Sequence, residues 1–394
     1  MASRARVHPP WIDYIQHFVL IPYRRQAADS IHDFAVIFEL HFCTTSPTQP
    51  YEIVGLFFYV LFLICVWVIL WIGGRIMLRK LDGTFFEFRH HNTAEGKYWN
   101  PALKEFEGTD WRNKIREIHA LGMEYVMIMA TALYERCFYQ SKIFPFADMK
   151  TADPIEEVLD ETDKLGLKVF LGNGFFGNWR RAHHNIKTEE IVNMSFKAME
   201  EITALYDHHP SFYGWYYPDE CFIKLHFPRA FVSYVNRASK VAHELTPGKK
   251  TLIAPYGTNV TLTNDRYIRD LVSMDLDYIV YQDEVGVQKT PVHRTAKLYE
   301  KLKRVHDEAG RAELWAEVEV FKFEGVVYDS ALLPASFDRV KRQIENVSPY
   351  VNKIIAYQYL GIMNPSGSPS FCGHPDSVKL YNDYVDYLKT NNLI

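Results

Sequence analysis

From about residue 81 to the C-terminus, short apolar runs alternate with stretches whose apolar residues recur every three or four positions. The first pattern fits buried strands and the second fits amphipathic helices. Two joints show how the units connect. Ala120-Leu121-Gly122-Met123-Glu124 and Lys164-Leu165-Gly166-Leu167-Lys168 are nearly the same device. In each, a last helical Leu faces the core, a Gly able to take the left-handed conformation ends the helix, and a strand starts two residues later. The pattern predicts eight strands near 83–88, 125–130, 168–172, 211–217, 251–255, 277–282, 313–321 and 353–359, each followed by a helix. About 310 residues in eight such units fit a (β/α)8 TIM barrel over 81–394. An open doubly wound sheet is the rival, but no glycine-rich phosphate turn follows the first strand.

Ahead of the barrel, Ile53–Gly74 passes without a single charge. At 1.5 Å per residue such a helix spans a hydrocarbon core of about 30 Å. Tyr51 and Trp71 stand near its ends, where aromatic rings favour the headgroup layer. Residues 51–75 are therefore expected to form a transmembrane helix in a single-pass protein, and 1–50 an interfacial or partly disordered region. The side of the membrane stays open. Arg75, Arg79 and Lys80 place the barrel in the cytosol by charge, whereas Asn193, Asn259 and Asn346 head glycosylation triplets. A formal net charge of -4, with no basic stripe, argues against a nucleic-acid partner. The five cysteines have no paired spacing, so neither a disulfide framework nor a cysteine metal site is expected. Oligomeric state is not legible.

If the barrel forms, residues just past each strand converge on one pocket. The fourth strand reads Ser211-Phe212-Tyr213-Gly214-Trp215-Tyr216-Tyr217 and stops at Pro218, leaving Asp219 and Glu220 at the mouth. The seventh reads Glu313-Leu314-Trp315-Ala316-Glu317-Val318-Glu319, which puts Trp315, Glu317 and Glu319 on one face by the two-residue period. Two acids on one face of a buried strand are poor packing residues, because burying a lone carboxylate costs several kcal/mol. Strands four and seven lie across the barrel from each other. Their acids are suited to flank a glycosidic bond, one protonating the leaving oxygen and the other attacking the sugar or activating water. Glu220 is the expected general acid/base and Glu319 its partner, with Glu317 in reserve. Asp219, Trp215, Tyr217, Gln282, Asp283, Tyr357, Asn173 and Arg89 are the expected substrate-binding residues, Trp99 and Trp179 are further flat faces for sugar rings, and no cofactor or metal is expected.

The stretches Phe212 to Glu220, Gln282-Asp283-Glu284-Val285-Gly286 and Trp315 to Phe321, with Gly83-Thr84-Phe85, Trp111 and Gly122, resemble the family catalogued as domain of unknown function 4434. The resemblance covers most of 82–390 and implies a TIM barrel akin to glycoside hydrolases acting on a carbohydrate or glycan. In the large retaining clan of those enzymes an Asn precedes the strand-four acid and holds the sugar's 2-hydroxyl; here Asp219 stands in that place. Two other readings remain. One is a non-catalytic carbohydrate-binding or scaffold barrel. The other is a metal-dependent hydrolase using His90-His91, His183-His184 or His208-His209 with Asp219, Glu220, Asp283 and Glu284, although no His-x-His or His-Glu-x-x-His spacing supports it and His208-His209, ahead of strand four, should lie at the opposite end of the barrel.

Overall fold

The computed structural model describes residues 78–394. The expected membrane span Ile53–Gly74 and the region 1–50 lie outside the described residues. Among those described, no helix is long and apolar enough to cross a membrane.

Eight parallel strands close into a barrel: β1 Gly83–Phe86, β2 Tyr125–Ile128, β3 Lys168–Gly172, β4 Phe212–Tyr216, β5 Lys250–Ile253, β6 Tyr278–Gln282, β7 Glu313–Glu319 and β8 Ile354–Tyr357. Neighbours in sequence are neighbours in the barrel, and β8 returns to β1 with Gly83 opposite Ile355 and Thr84 opposite Ala356. The helices that follow are α1 Gly108–Ala120, α2 Pro154–Leu165, α3 Glu189–Tyr206, α4 Arg229–Leu245, α5 Asp265–Ser273, α6 Val292–Ala309, α7 Phe337–Val347 and α8 Ser377–Thr390.

Local chemistry sets these ends. Asp153 Oδ1 accepts the Glu156 N–H at 3.0 Å and Pro154 opens α2, where a missing N–H costs nothing. Gly122 and Gly166 end α1 and α2 with φ of 70° and 69°, the left-handed conformation the sequence required. The seventh unit differs from expectation. Its strand stops at Glu319, and Phe321–Phe323 then pairs antiparallel with Leu332–Pro334 as a small hairpin over the barrel mouth. Pro334 lies in that hairpin, and α7 starts after it, at Phe337.

Two apolar layers hold the barrel. Inside it, Phe85, Met127, Phe170, Tyr216, Leu252, Val280, Trp315 and Ile355 contribute one side chain from each strand. A larger layer between strands and helices takes the alternate positions, such as Phe86, Val126, Trp215, Tyr281 and Val318. Each fully buried side chain of this size contributes about 1.5–3 kcal/mol. Gly214 is required by closeness: a Cβ there would lie 2.4 Å from the Lys250 carbonyl oxygen. Asp82 closes the seam between first and last strands. Its Oδ2 accepts from the Ile354 N–H at 2.8 Å and from Arg79 at 3.1 Å, and its Oδ1 accepts from Lys353 Nζ at 3.1 Å.

Candidate active site

The two-residue period of β4 continues past its end. Tyr216, Pro218 and Glu220 point to the barrel axis, while Trp215, Tyr217 and Asp219 point to the helices. Pro218 and Glu220 line a cavity of about 550 Å³ at the carboxyl ends of the strands, within the usual range for small-molecule sites. Half-buried Glu220 is held from two sides. Tyr216 donates its hydroxyl to Oε1 at 3.0 Å, and Gln282 donates Nε2 to Oε2 at 2.8 Å. Burial pushes the Glu220 carboxyl up to about 7, although these two donors and the charge of Lys289 pull the other way.

Strand β7 supplies the other acids, and Trp315, Glu317 and Glu319 share the inward face as the period requires. Glu317 sits opposite Gln282 on β6 and Ile355 on β8. It is buried, and its Oε2 has no hydrogen-bond partner. Burial raises its pKa well above the carboxylate range, and the charges of Glu220, Glu319 and Asp283 add to that. Glu319 lies opposite Tyr357 and accepts the Val287 N–H through Oε2 at 2.8 Å. Its pKa is also raised, first by burial and then by Asp283. Glu317 is thus the β7 acid that feels Glu220 directly, while Glu319 is tied to the loop after β6.

The structure brings Glu220, Glu317, Glu319, Gln282 and Tyr357 onto one cavity. It does not bring the other expected binding residues there. Trp215 donates Nε1 to Thr246 Oγ1 at 2.9 Å, and the Tyr217 hydroxyl meets Ser239 Oγ at 3.2 Å, both in the layer under α4. Asp219 accepts from Asn185 Nδ2 at 3.2 Å, and burial lifts its carboxyl to about 7. Asp283 faces α7, where its Oδ2 accepts from Gln343 Nε2 at 2.6 Å. Asn173 donates Nδ2 to the Tyr234 hydroxyl at 3.3 Å, and Arg89 is exposed. The reason is common to the β4 and β6 residues: from Trp215 onward in β4, and throughout β6, odd positions take the outer phase.

Several wall residues escaped the sequence reading. Tyr216 shares a face with Glu220, so the period of two could have found it. Lys289 and Tyr328 arrive on loops and Glu95 on a single 3-10 turn, Glu95–Tyr98, and no local signal marks them. Lys289 Nζ lies 5.0 Å from the Tyr256 ring centroid and 5.6 Å from that of Tyr328. Of the two further rings expected from the sequence, Trp179 lies under the Arg180 guanidinium as a flat apolar wall of the cavity, while Trp99 is buried outside it with Nε1 donated to Glu87 Oε1 at 3.3 Å.

Two groups among the described residues have the makings of a metal site. Glu87, His90 and His91 can each bring one ligand atom within 4.8 Å of the others at the end of β1, as can Glu156, His208 and His209. In the first group, His90 Nδ1 accepts the Asn92 N–H at 3.3 Å and Nε2 lies 3.1 Å from Glu95 Oε2. In the second, His209 contacts Asp163 at 2.7 Å and Glu156 at 3.3 Å. Each central histidine therefore already faces polar neighbours through both nitrogens.

Several solved structures share the architecture. One described as a "putative alpha-L-fucosidase" from Bacteroides thetaiotaomicron superposes with a TM-score of 0.62 at 16% identity, over 79% of this chain and 94% of its own. The beta-galactosidase of the psychrophilic Marinomonas ef1 gives 0.50 at 11% identity, over 79% of this chain and 59% of its own. The GH2 beta-galacturonidase of Eisenbergiella tayi gives 0.50 at 14% identity, over 79% and 51%. At these identities the likeness is one of fold. A comparison with curated proteins finds no match. The family profile described as domain of unknown function (DUF4434) matches residues 81–373, from the first barrel strand to the loop before α8, and the chain belongs to that family.

Proposed function

We propose that the barrel hydrolyses a glycosidic bond, with Glu220 and Glu317 as the working pair of carboxyl groups. The observation that carries this reading is the Glu317 carboxylate, buried with a bare oxygen on the same cavity as Glu220. Two acids that repel each other in a shared site hold one proton between them near neutral pH. One is then an acid and the other a carboxylate, the state that glycoside cleavage needs. Glu220, the more open of the two, protonates the leaving oxygen. Glu317, whose own pKa is raised by burial, must first leave the shared proton on Glu220, and as the carboxylate it then attacks the anomeric carbon or activates water. Gln282 and Tyr216 orient Glu220, and Tyr357 and Trp179 offer ring faces to the sugar. Sequence reasoning preferred Glu319 as the partner; its tie to Val287 suits it better to holding substrate.

The three barrels named above carry glycosidase names, which adds to the reading only through the shared fold. A membrane anchor at Ile53–Gly74 belongs to the same proposal and rests on that stretch's length and lack of charge. The test is a screen of the full-length protein against aryl glycosides and glycan libraries, with Glu220→Gln alongside. Turnover that Glu220→Gln abolishes is expected. Sugar binding without turnover would instead indicate a non-catalytic barrel.

A further inference from the structure

Cleavage employs two carboxyl groups, yet three line this cavity: Glu220, Glu317 and Glu319. The cations on the same wall already have acidic neighbours. Lys289 Nζ lies 3.7 Å from Glu284, and Arg180 lies 3.8 Å from Asp329. Arg339, close behind β7, donates to the backbone carbonyl of Glu319 and not to its carboxylate. Glu319 Oε2 accepts one N–H, from Val287. Glu317 Oε2 has no hydrogen-bond partner, and both side chains are buried. No cation among the described residues touches either carboxyl, so burial and mutual repulsion keep protons on them until a counter-charge arrives. An ammonium group offers three donors and a positive charge, which would let Glu319 ionise beside it. A hydroxyl offers one donor and no charge, and an acidic sugar would add to the repulsion.

We propose that the sugar bound here carries a free amino group, held as an ammonium by Glu319 beside the Glu220–Glu317 pair. This rests on the glycosidase reading for the claim that the ligand is a sugar. It extends that reading to a substrate class: glycosides of unacetylated amino sugars.

The test measures binding by the full-length protein at pH 6. The probes are glucosamine, galactosamine and mannosamine, each beside its N-acetyl form and its parent hexose. At least one amino sugar should bind roughly tenfold or more tightly than both of its counterparts, in line with one charge-assisted hydrogen bond. Added salt should weaken it, and Glu319→Gln, a neutral isostere, should remove the preference. Equal binding within every set, no amino-sugar binding at all, or a preference that survives Glu319→Gln overturns the proposal. The wild-type comparison stands by itself if the variant folds poorly. Neutral aryl glycosides cleaved through Glu220 and Glu317, with no amino preference, would sink this inference and leave the hydrolase reading intact. Amino sugars bound through Glu319, with no aryl glycoside turned over, would do the reverse.

Discussion

Replacing Asp219 by asparagine tests the electrostatics around the site without touching the cavity. Asp219 is 2% exposed and accepts one hydrogen bond, from Asn185. Burial is the main reason its carboxyl is lifted from 3.8 to about 7, with the Glu220 charge adding to it. Between those values the folded protein keeps a proton that the unfolded chain has lost. Stability therefore falls as pH rises through that window. At about 1.4 kcal/mol per pH unit, the ionised group costs about 4 kcal/mol above pH 7, of which about 3 kcal/mol accrues between pH 5 and pH 8. A side-chain amide, which does not ionise, carries no such cost. Urea unfolding of both proteins at pH 5 and pH 8 should show the Asp219→Asn variant gaining about 3 kcal/mol on the wild type as pH rises. The lifted carboxyls of Glu220 and Asp283 are present in both proteins and largely cancel in the comparison. A stability difference that is the same at both pH values would refute the argument that Asp219 is held protonated by burial.

Other consequences can be checked in the same way. Glu220→Gln and Glu317→Gln should each lower the turnover of a cleaved glycoside by about 10²–10⁴-fold, whereas either variant retaining near wild-type turnover would remove that residue from the pair. Asp82→Ala should cost about 1–3 kcal/mol in chemical denaturation, because it strands the Ile354 N–H at the barrel seam and leaves Lys353 with Glu124 as its remaining carboxylate partner. Trp215→Phe loses the bond to Thr246 and should cost about 1–2 kcal/mol of stability while leaving sugar affinity unchanged, since Trp215 lies outside the cavity.

The fold was largely legible because each βα unit advertises itself locally. The Gly122 and Gly166 joints, the Asp153-Pro154 helix start and the apolar strand runs each need only a few neighbouring residues to be read. Glu220, Glu317 and Glu319 were legible as candidates for a related reason: charges inside or just past buried strands are costly and stand out. The phase of β4 was not used to full effect. Once Glu220 points inward, Asp219, Tyr217 and Trp215 must point outward, and the same count turns Asp283 away when Gln282 faces the cavity. Choosing between Glu317 and Glu319 needed the position of Val287, which comes from a loop some thirty residues earlier in the chain. Lys289 and Tyr328 were hidden for the same reason, since loops that fold over a barrel mouth leave no periodic signal.

The most direct measurement is a crystal structure of Glu220→Gln with an intact oligosaccharide bound, beside one of the wild type. The sugar is expected in the cavity, with its glycosidic oxygen within hydrogen-bond reach of position 220 and its anomeric carbon facing Glu317. The wild-type Glu220 and Glu317 carboxyl groups should stand about 5–9.5 Å apart, the span covering retaining and inverting pairs. Sugar bound elsewhere, or carboxyl groups separated by well over about 12 Å, would contradict the assignment of these two acids to bond cleavage.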